Sequence, residues 1–178
     1  MIEMAEKEVI AVIDAGTTGL RTMLFDIYGN EISRSYKEHP SFFDRPNWVE
    51  QNADDWYKSV IDTSKDAIKK AGISNDKIIG ISITNQRETI VPVSEDGTPL
   101  RRAIVWQDRR SIEECNLIEK LIGYDKINEI TGLTINSYFS GPKILWIKRN
   151  EPEIYKNTYK FLLVHDYLVY KLSDVFIS

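Results

Sequence analysis

The chain has one cysteine, two histidines, six prolines and no long apolar run, and each scarcity excludes something. Cys115 alone can form neither an internal disulfide nor a multi-cysteine metal centre, and His39 and His165 are the only imidazoles. No segment approaches the ~18 consecutive apolar residues of a membrane span. The opening MIEMAEKEVI is acidic and lacks the charged-then-apolar order of an export signal, so a reducing cytoplasm is the expected location. Basic residues are not in surplus: 23 Lys and Arg stand against 27 Asp and Glu, a net charge of −4. The first 89 residues carry 11 basic and 15 acidic side chains and the remainder 12 of each. Neither half has the excess that tracks a phosphate backbone, which argues against nucleic acid as a partner. Linkers rich in Pro, Gly or Ser and internal repeats are missing as well.

What remains is ordinary globular composition. The 178 residues are 42% hydrophobic, 28% charged and 11% aromatic, enough for one domain with a buried core. The β-branched run Glu8–Asp14 breaks at Ala15-Gly-Thr-Thr-Gly19, and Leu20–Ile27 alternates as a hairpin partner, followed by a third strand over Glu31–Lys37. From Asn52, apolar residues recur at helical spacing to Ala71, with Gly72 in the position of a C-terminal capping glycine. Lys77–Thr84 (KIIGISIT) reads as a strand parallel to the first and covered on both faces. Glu88–Val93 and Ala103–Val105 flank a turn at Glu95-Asp-Gly-Thr98, a hairpin signal. Helical patterns follow at Arg110–Leu121, Asp125–Thr131 and Gly141–Arg149, then a strand at Lys160–Val164 and a helix at Tyr167–Leu172. The apolar, uncapped Val175-Phe-Ile-Ser178 reads as an interruption.

Four segments concentrate chemistry. Asp14-Ala-Gly-Thr-Thr-Gly places a carboxylate at the end of a buried strand beside small residues and two hydroxyls, which suits a divalent cation and the phosphates it bridges. The same residues also suit a plain hairpin turn. No Gly-Lys-Ser/Thr is present, so this is not a Walker loop. Thr84-Asn-Gln-Arg-Glu-Thr89 packs polar side chains between two apolar strands, at the sheet edge where α/β proteins bind ligands. Arg87 and Glu88 there supply donors and an acceptor for vicinal hydroxyls, or simply an ion pair on a loop. In Val105-Trp-Gln-Asp-Arg-Arg110 an indole is followed by polar side chains, as in a polyol pocket or at a strand end closed by a core tryptophan. Tyr138, in Tyr138-Phe-Ser-Gly-Pro-Lys143, offers a phenol to a ligand or packs at a helix entry. Trp48 and Trp146 read as packing residues, His165-Asp166 as a helix start, and Cys115 as inert within a helix.

Taken in order, Asp14–Arg21, Asn47-Trp-Val-Glu-Gln51, Thr84–Thr89, Val105–Arg110, Thr131-Gly-Leu133 and Tyr138–Lys143 resemble the amino-terminal domain of the FGGY carbohydrate kinases. The resemblance runs from about Val9 to Ser178. It implies an α/β fold of ribonuclease H-like, actin-like ATPase type, with a mixed central sheet flanked by helices. It also implies ATP- and Mg²⁺-dependent phosphorylation of a polyol or sugar. Residues 1–178 would be the polyol-binding domain, with a carboxy-terminal ATPase domain absent from this chain. By motif matching, Asp14 would face the metal, Thr17, Thr18 and Arg21 the ATP phosphates, and Arg87, Glu88, Trp106 and Tyr138 the substrate. The catalytic base would lie beyond Ser178, so the isolated chain is expected to be inactive. The Thr84–Thr89 segment points within the family to glycerol. Pro142 and Phe161-Leu-Leu-Val-His-Asp-Tyr167 lean toward pentulose-type members, and Gly19-Leu20 replaces a serine pair typical of glycerol-specific ones. A non-catalytic polyol-binding module is the alternative from another class. A homo-oligomer is compatible with the sequence.

Overall fold

Alternation in Val9–Ala15 fixes which side of the first strand is buried: Val9, Ala11, Ile13 and Ala15 are at most 6% exposed. The computed structural model describes residues 8–176; the first seven residues of the acidic opening and the last two of the apolar end lie outside them. The chain divides into two compact units, residues 8–40 with 54–86 and residues 41–53 with 87–176.

The first unit is a four-stranded sheet in the order β3-β2-β1-β5. Strands β1 (Val9–Ala15), β2 (Gly19–Asp26) and β3 (Glu31–Glu38) form the expected antiparallel meander. Helix α1 (Ala53–Ala71) crosses back, and β5 (Ile78–Asn85) pairs parallel to β1. The helix ends as the sequence indicates: Gly72 adopts φ 65° and its N–H donates to the Ile68 carbonyl at 3.1 Å. Val9, Ala11, Leu24 and Ala67 form the core between sheet and helix, with Ile32, Ile68 and Ile78 packed around them. Thr22 meets Thr63 at 2.8 Å and the Ser33 hydroxyl donates to the Ala67 carbonyl at 2.7 Å, so polar groups across this interface are satisfied. One expectation is overturned. β5 is an edge strand rather than a strand covered on both faces, and Ile79 and Ile81 are 55% and 58% exposed.

The second unit contains a smaller sheet in the order β4-β7-β6-β8, all antiparallel, built from Glu50–Gln51, Ala103–Ile104, Ile90–Val93 and Lys160–Leu163. The turn Ser94–Thr98 closes as expected, but β6 meets β7 only at Ile90↔Ile104. Its main partner is β8, over four residue pairs. Helices α2 (Ile112–Ile122), α3 (Tyr124–Thr131), α4 (Ser140–Asn150), α5 (Pro152–Asn157) and α6 (Val164–Ser173) complete this unit. Ile90, Ile104 and Ile147 form its core with Ile144, Phe161 and Leu163. Asp166 accepts the Leu163 N–H at 3.0 Å, so His165-Asp166 is a helix start, as read. Trp48 and Trp146 pack edge-on with ring centroids 5.3 Å apart.

Candidate functional site

Residues Gly16–Thr18 link β1 to β2, and the antiparallel register sets Asp14 opposite Arg21. Arg21 Nε lies 3.4 Å from Asp14 Oδ2, with both side chains partly exposed. The parallel register on the other side of β1 sets Asp14 beside Thr84 of β5. The loop thus presents a carboxylate, a guanidinium and the exposed Thr18, with Thr17 half-buried. The Thr18 carbonyl accepts the His39 N–H at 3.3 Å, which ties the end of β3 to the loop. Burial pushes the His39 imidazole below its ordinary value, outweighing the Thr17 backbone and the Asp55 carboxylate, which act the other way. Gly19 answers the missing serine pair. A Cβ there would collide with the Tyr36 ring and hydroxyl and approach the Lys37 carbonyl to 2.7 Å.

Among the described residues no three His, Cys, Asp or Glu side chains cluster as a metal cage. Asp14 offers a cation a single accessible carboxylate. That fits Mg²⁺, which is commonly held by one or two carboxylates together with substrate phosphates.

The residues read as substrate-binding lie in the second unit. Glu88 precedes β6 with φ 62°, a left-handed conformation that a non-glycine residue keeps only when its surroundings hold it. Its Oε2 accepts the Ser140 N–H at 3.0 Å and the Ser140 hydroxyl at 2.8 Å. Its own carbonyl accepts from Lys143 Nζ at 3.0 Å. The Trp106 N–H, just past β7, donates to Thr89 Oγ1 at 3.1 Å. The Trp106 and Tyr138 rings meet at 65° with centroids 5.7 Å apart. They line a cleft of about 180 Å³ with Gln107, Arg109 and Asn136. Arg87 is exposed and has no partner among the described residues.

A buried polar network holds the Trp106 loop. Asp108, fully buried, accepts the Val49 N–H at 2.6 Å and the Arg110 backbone and guanidinium N–H groups at 2.7–2.9 Å. Arg110 also pairs with Glu50 at 2.9 Å and stacks 3.6 Å from the Trp48 ring. Cys115 lies in α2, its thiol pushed up by burial, as its inert reading requires. Gln107 and Arg109 are among the polar side chains that the sequence sets after the Trp106 indole, whereas Ser140, Lys143 and Asn136 carry no role in the sequence reading. The available signal was a lysine in the first turn of a helix that continues Ile144-Leu145-Trp146-Ile147.

A mixed four-stranded sheet backed by a helix, with a strand–loop–strand carrying Asp14, is the arrangement of an actin-like α/β domain. Residues 9–178 match the N-terminal domain of the FGGY family of carbohydrate kinases, and the chain belongs to that family. It is 39% identical over 173 residues to a glycerol kinase of Malacoplasma penetrans, covering 94% of this chain and 34% of the relative. To a glycerol kinase of Pediococcus pentosaceus it is 38% identical, covering 96% and 35%. The crystal structure of Plasmodium falciparum glycerol kinase with ADP superposes with a TM-score of 0.86 at 28% identity, covering 97% of this chain and 35% of that one. A xyloylose kinase from Brucella ovis gives 0.84 at 26%, covering 92% and 33%. The chain therefore spans about a third of the length of the relatives it matches.

Proposed function

We propose that the chain is the polyol-binding, amino-terminal domain of an ATP-dependent kinase whose acceptor is glycerol. The observation that carries this is Glu88. Its Oε2 is saturated by Ser140, while Oε1 has no partner among the described residues and is left to accept a substrate hydroxyl. The neighbouring Arg87 supplies donors, and the Trp106–Tyr138 pair offers an apolar wall to the carbon face. The kinases named above add weight for glycerol, since two relatives at 38–39% identity carry that substrate in their names.

In the first unit, Thr17 and Thr18 donate hydroxyl hydrogen bonds to phosphate oxygens and Arg21 pairs with their charge. Asp14 is the carboxylate that would hold Mg²⁺, which when bound neutralises charge on the phosphate oxygens. Deprotonation of the attacking hydroxyl is assigned to a base outside this chain. Without it, and without the second domain's contribution to proximity, the 178 residues alone should show no turnover in an ADP-coupled assay.

The reading is tested by titrating glycerol, xylulose, ribulose and erythritol into the chain while following tryptophan fluorescence. Glycerol should bind most tightly, and Glu88→Gln should weaken it at least about tenfold by weakening a charge-assisted bond. A preference for a pentulose moves the assignment to a pentulose kinase, which the Brucella ovis neighbour and Pro142 would then accompany. No binding of any of the four overturns the reading.

A further inference from the structure

Lys143 has none of its side chain in contact with solvent, although its helix neighbours Ile144, Leu145 and Ile147 are apolar and a methionine would fill the same volume. Burying an ammonium is costly unless every N–H is used. Here all three are used on main-chain carbonyls: Glu88 at 3.0 Å, Phe139 at 3.3 Å and Tyr138. Those carbonyls belong to two segments far apart in sequence, one carrying Glu88 and the other Tyr138. Ser140, from the same first turn of α4, holds the Glu88 carboxylate. One helical turn thus fixes both the backbone and the side chain of a residue in a left-handed conformation.

We infer that Lys143 is a positioning residue of the polyol site, tying the Glu88 and Tyr138 segments into one rigid frame through their carbonyls. This rests on the proposed role of Glu88 and Tyr138 in binding polyol. The group is also poised to titrate: burial lowers its pKa to about 8, against the opposing pull of Glu88, Asp108 and the Cys115 thiol, the charged and titratable groups that face it. Once neutral it has two N–H donors and a lone pair facing three carbonyls, and the frame loosens.

The test is calorimetric titration of the chain with glycerol from about pH 6.5 to about pH 9.5, in the wild type, Cys115→Ser and Lys143→Met. The expected result is wild-type affinity falling about tenfold with a midpoint near pH 8, the same fall in Cys115→Ser with its midpoint at or slightly below the wild-type one because the thiol's upward pull is gone, and weak, pH-independent binding in Lys143→Met. Binding that stays constant through pH 8, a pH dependence that disappears in Cys115→Ser, or wild-type affinity in Lys143→Met overturns the role of Lys143 and leaves the polyol reading standing. Should Lys143→Met not fold, the wild-type and Cys115→Ser profiles decide alone. A folded wild type that binds no glycerol at any pH overturns the polyol reading, and this inference with it.

Discussion

Ser140 delivers two hydrogen bonds to a single oxygen, Oε2 of Glu88, from its backbone N–H at 3.0 Å and its hydroxyl at 2.8 Å. The carboxylate sits at the N-terminal end of the 11-residue α4, where the helix dipole also favours negative charge. Ser140→Ala keeps the amide and removes the hydroxyl. A bond to a charged group contributes about 1.5 kcal/mol or more, so glycerol affinity should fall about tenfold by calorimetry. A loss below about twofold would show that the amide alone sets the carboxylate.

Gly19 and Tyr36 make a second pair. The space a serine would need beside the Asp14 loop is occupied by the Tyr36 ring, and behind it the Lys37 carbonyl would stand 2.7 Å from the new Cβ. Gly19→Ser should therefore destabilise the chain by about 2–3 kcal/mol in urea unfolding. Tyr36→Ala in the same chain should recover only part of that, because the carbonyl stays. Full recovery in the double-mutant cycle would assign the whole clash to the ring.

Acid sensitivity should come in part from His39. Its folded-state pKa lies below the ordinary 6.5, chiefly through burial, so the unfolded chain takes up a proton first as pH falls. Stability then declines as pH drops below about 6.5 and is recovered above it. His39→Gln should flatten this segment of the stability profile, measured by denaturant midpoints between about pH 5 and 7. An unchanged slope would place the proton uptake elsewhere.

The outer edge of β5 makes a prediction about association. Ile78–Asn85 contains no charge and no proline, its far edge is unpaired among the described strands, and Ile79 and Ile81 are exposed. Such an edge is complementary to itself in antiparallel pairing, so a second copy of the chain is its expected partner. Sedimentation should show concentration-dependent dimers that Ile81→Lys abolishes. A monomer at every concentration would count against this pairing.

What could be read in advance divides along the range of the interactions. The Asp14 loop, the three-strand meander, α1 with Gly72 at its end, and α4 are set by nearest neighbours along the chain, and all stand where local pattern puts them. β4, two residues long, and α5, six residues opened by Pro152, are too short to raise a periodic signal. The apolar run of β5 matches a strand buried on both faces, yet position at the sheet edge, invisible in the residues, decides its exposure. β6 and β8 pair across a long stretch of chain, and no turn signal announces it. The proposed site behaves likewise. Arg87, Glu88, Trp106 and Tyr138 stand out as residue types, whereas Lys143 does its work through carbonyls, which leave no trace in side-chain identity.

The discontinuity of the second unit bears on how the protein is made. Every strand of the first sheet and α1 have left the ribosome once Gln86 is clear, so that unit can close while synthesis continues. Residues 41–53 are then a loop pinned at both ends, waiting for β7 and, beyond it, β8 to build the sheet that β4 joins. During that interval Trp48 and Phe42 are without the Trp146 and Arg102 contacts that later cover them. The Trp48 contact closes only when α4, which carries Trp146, has been made.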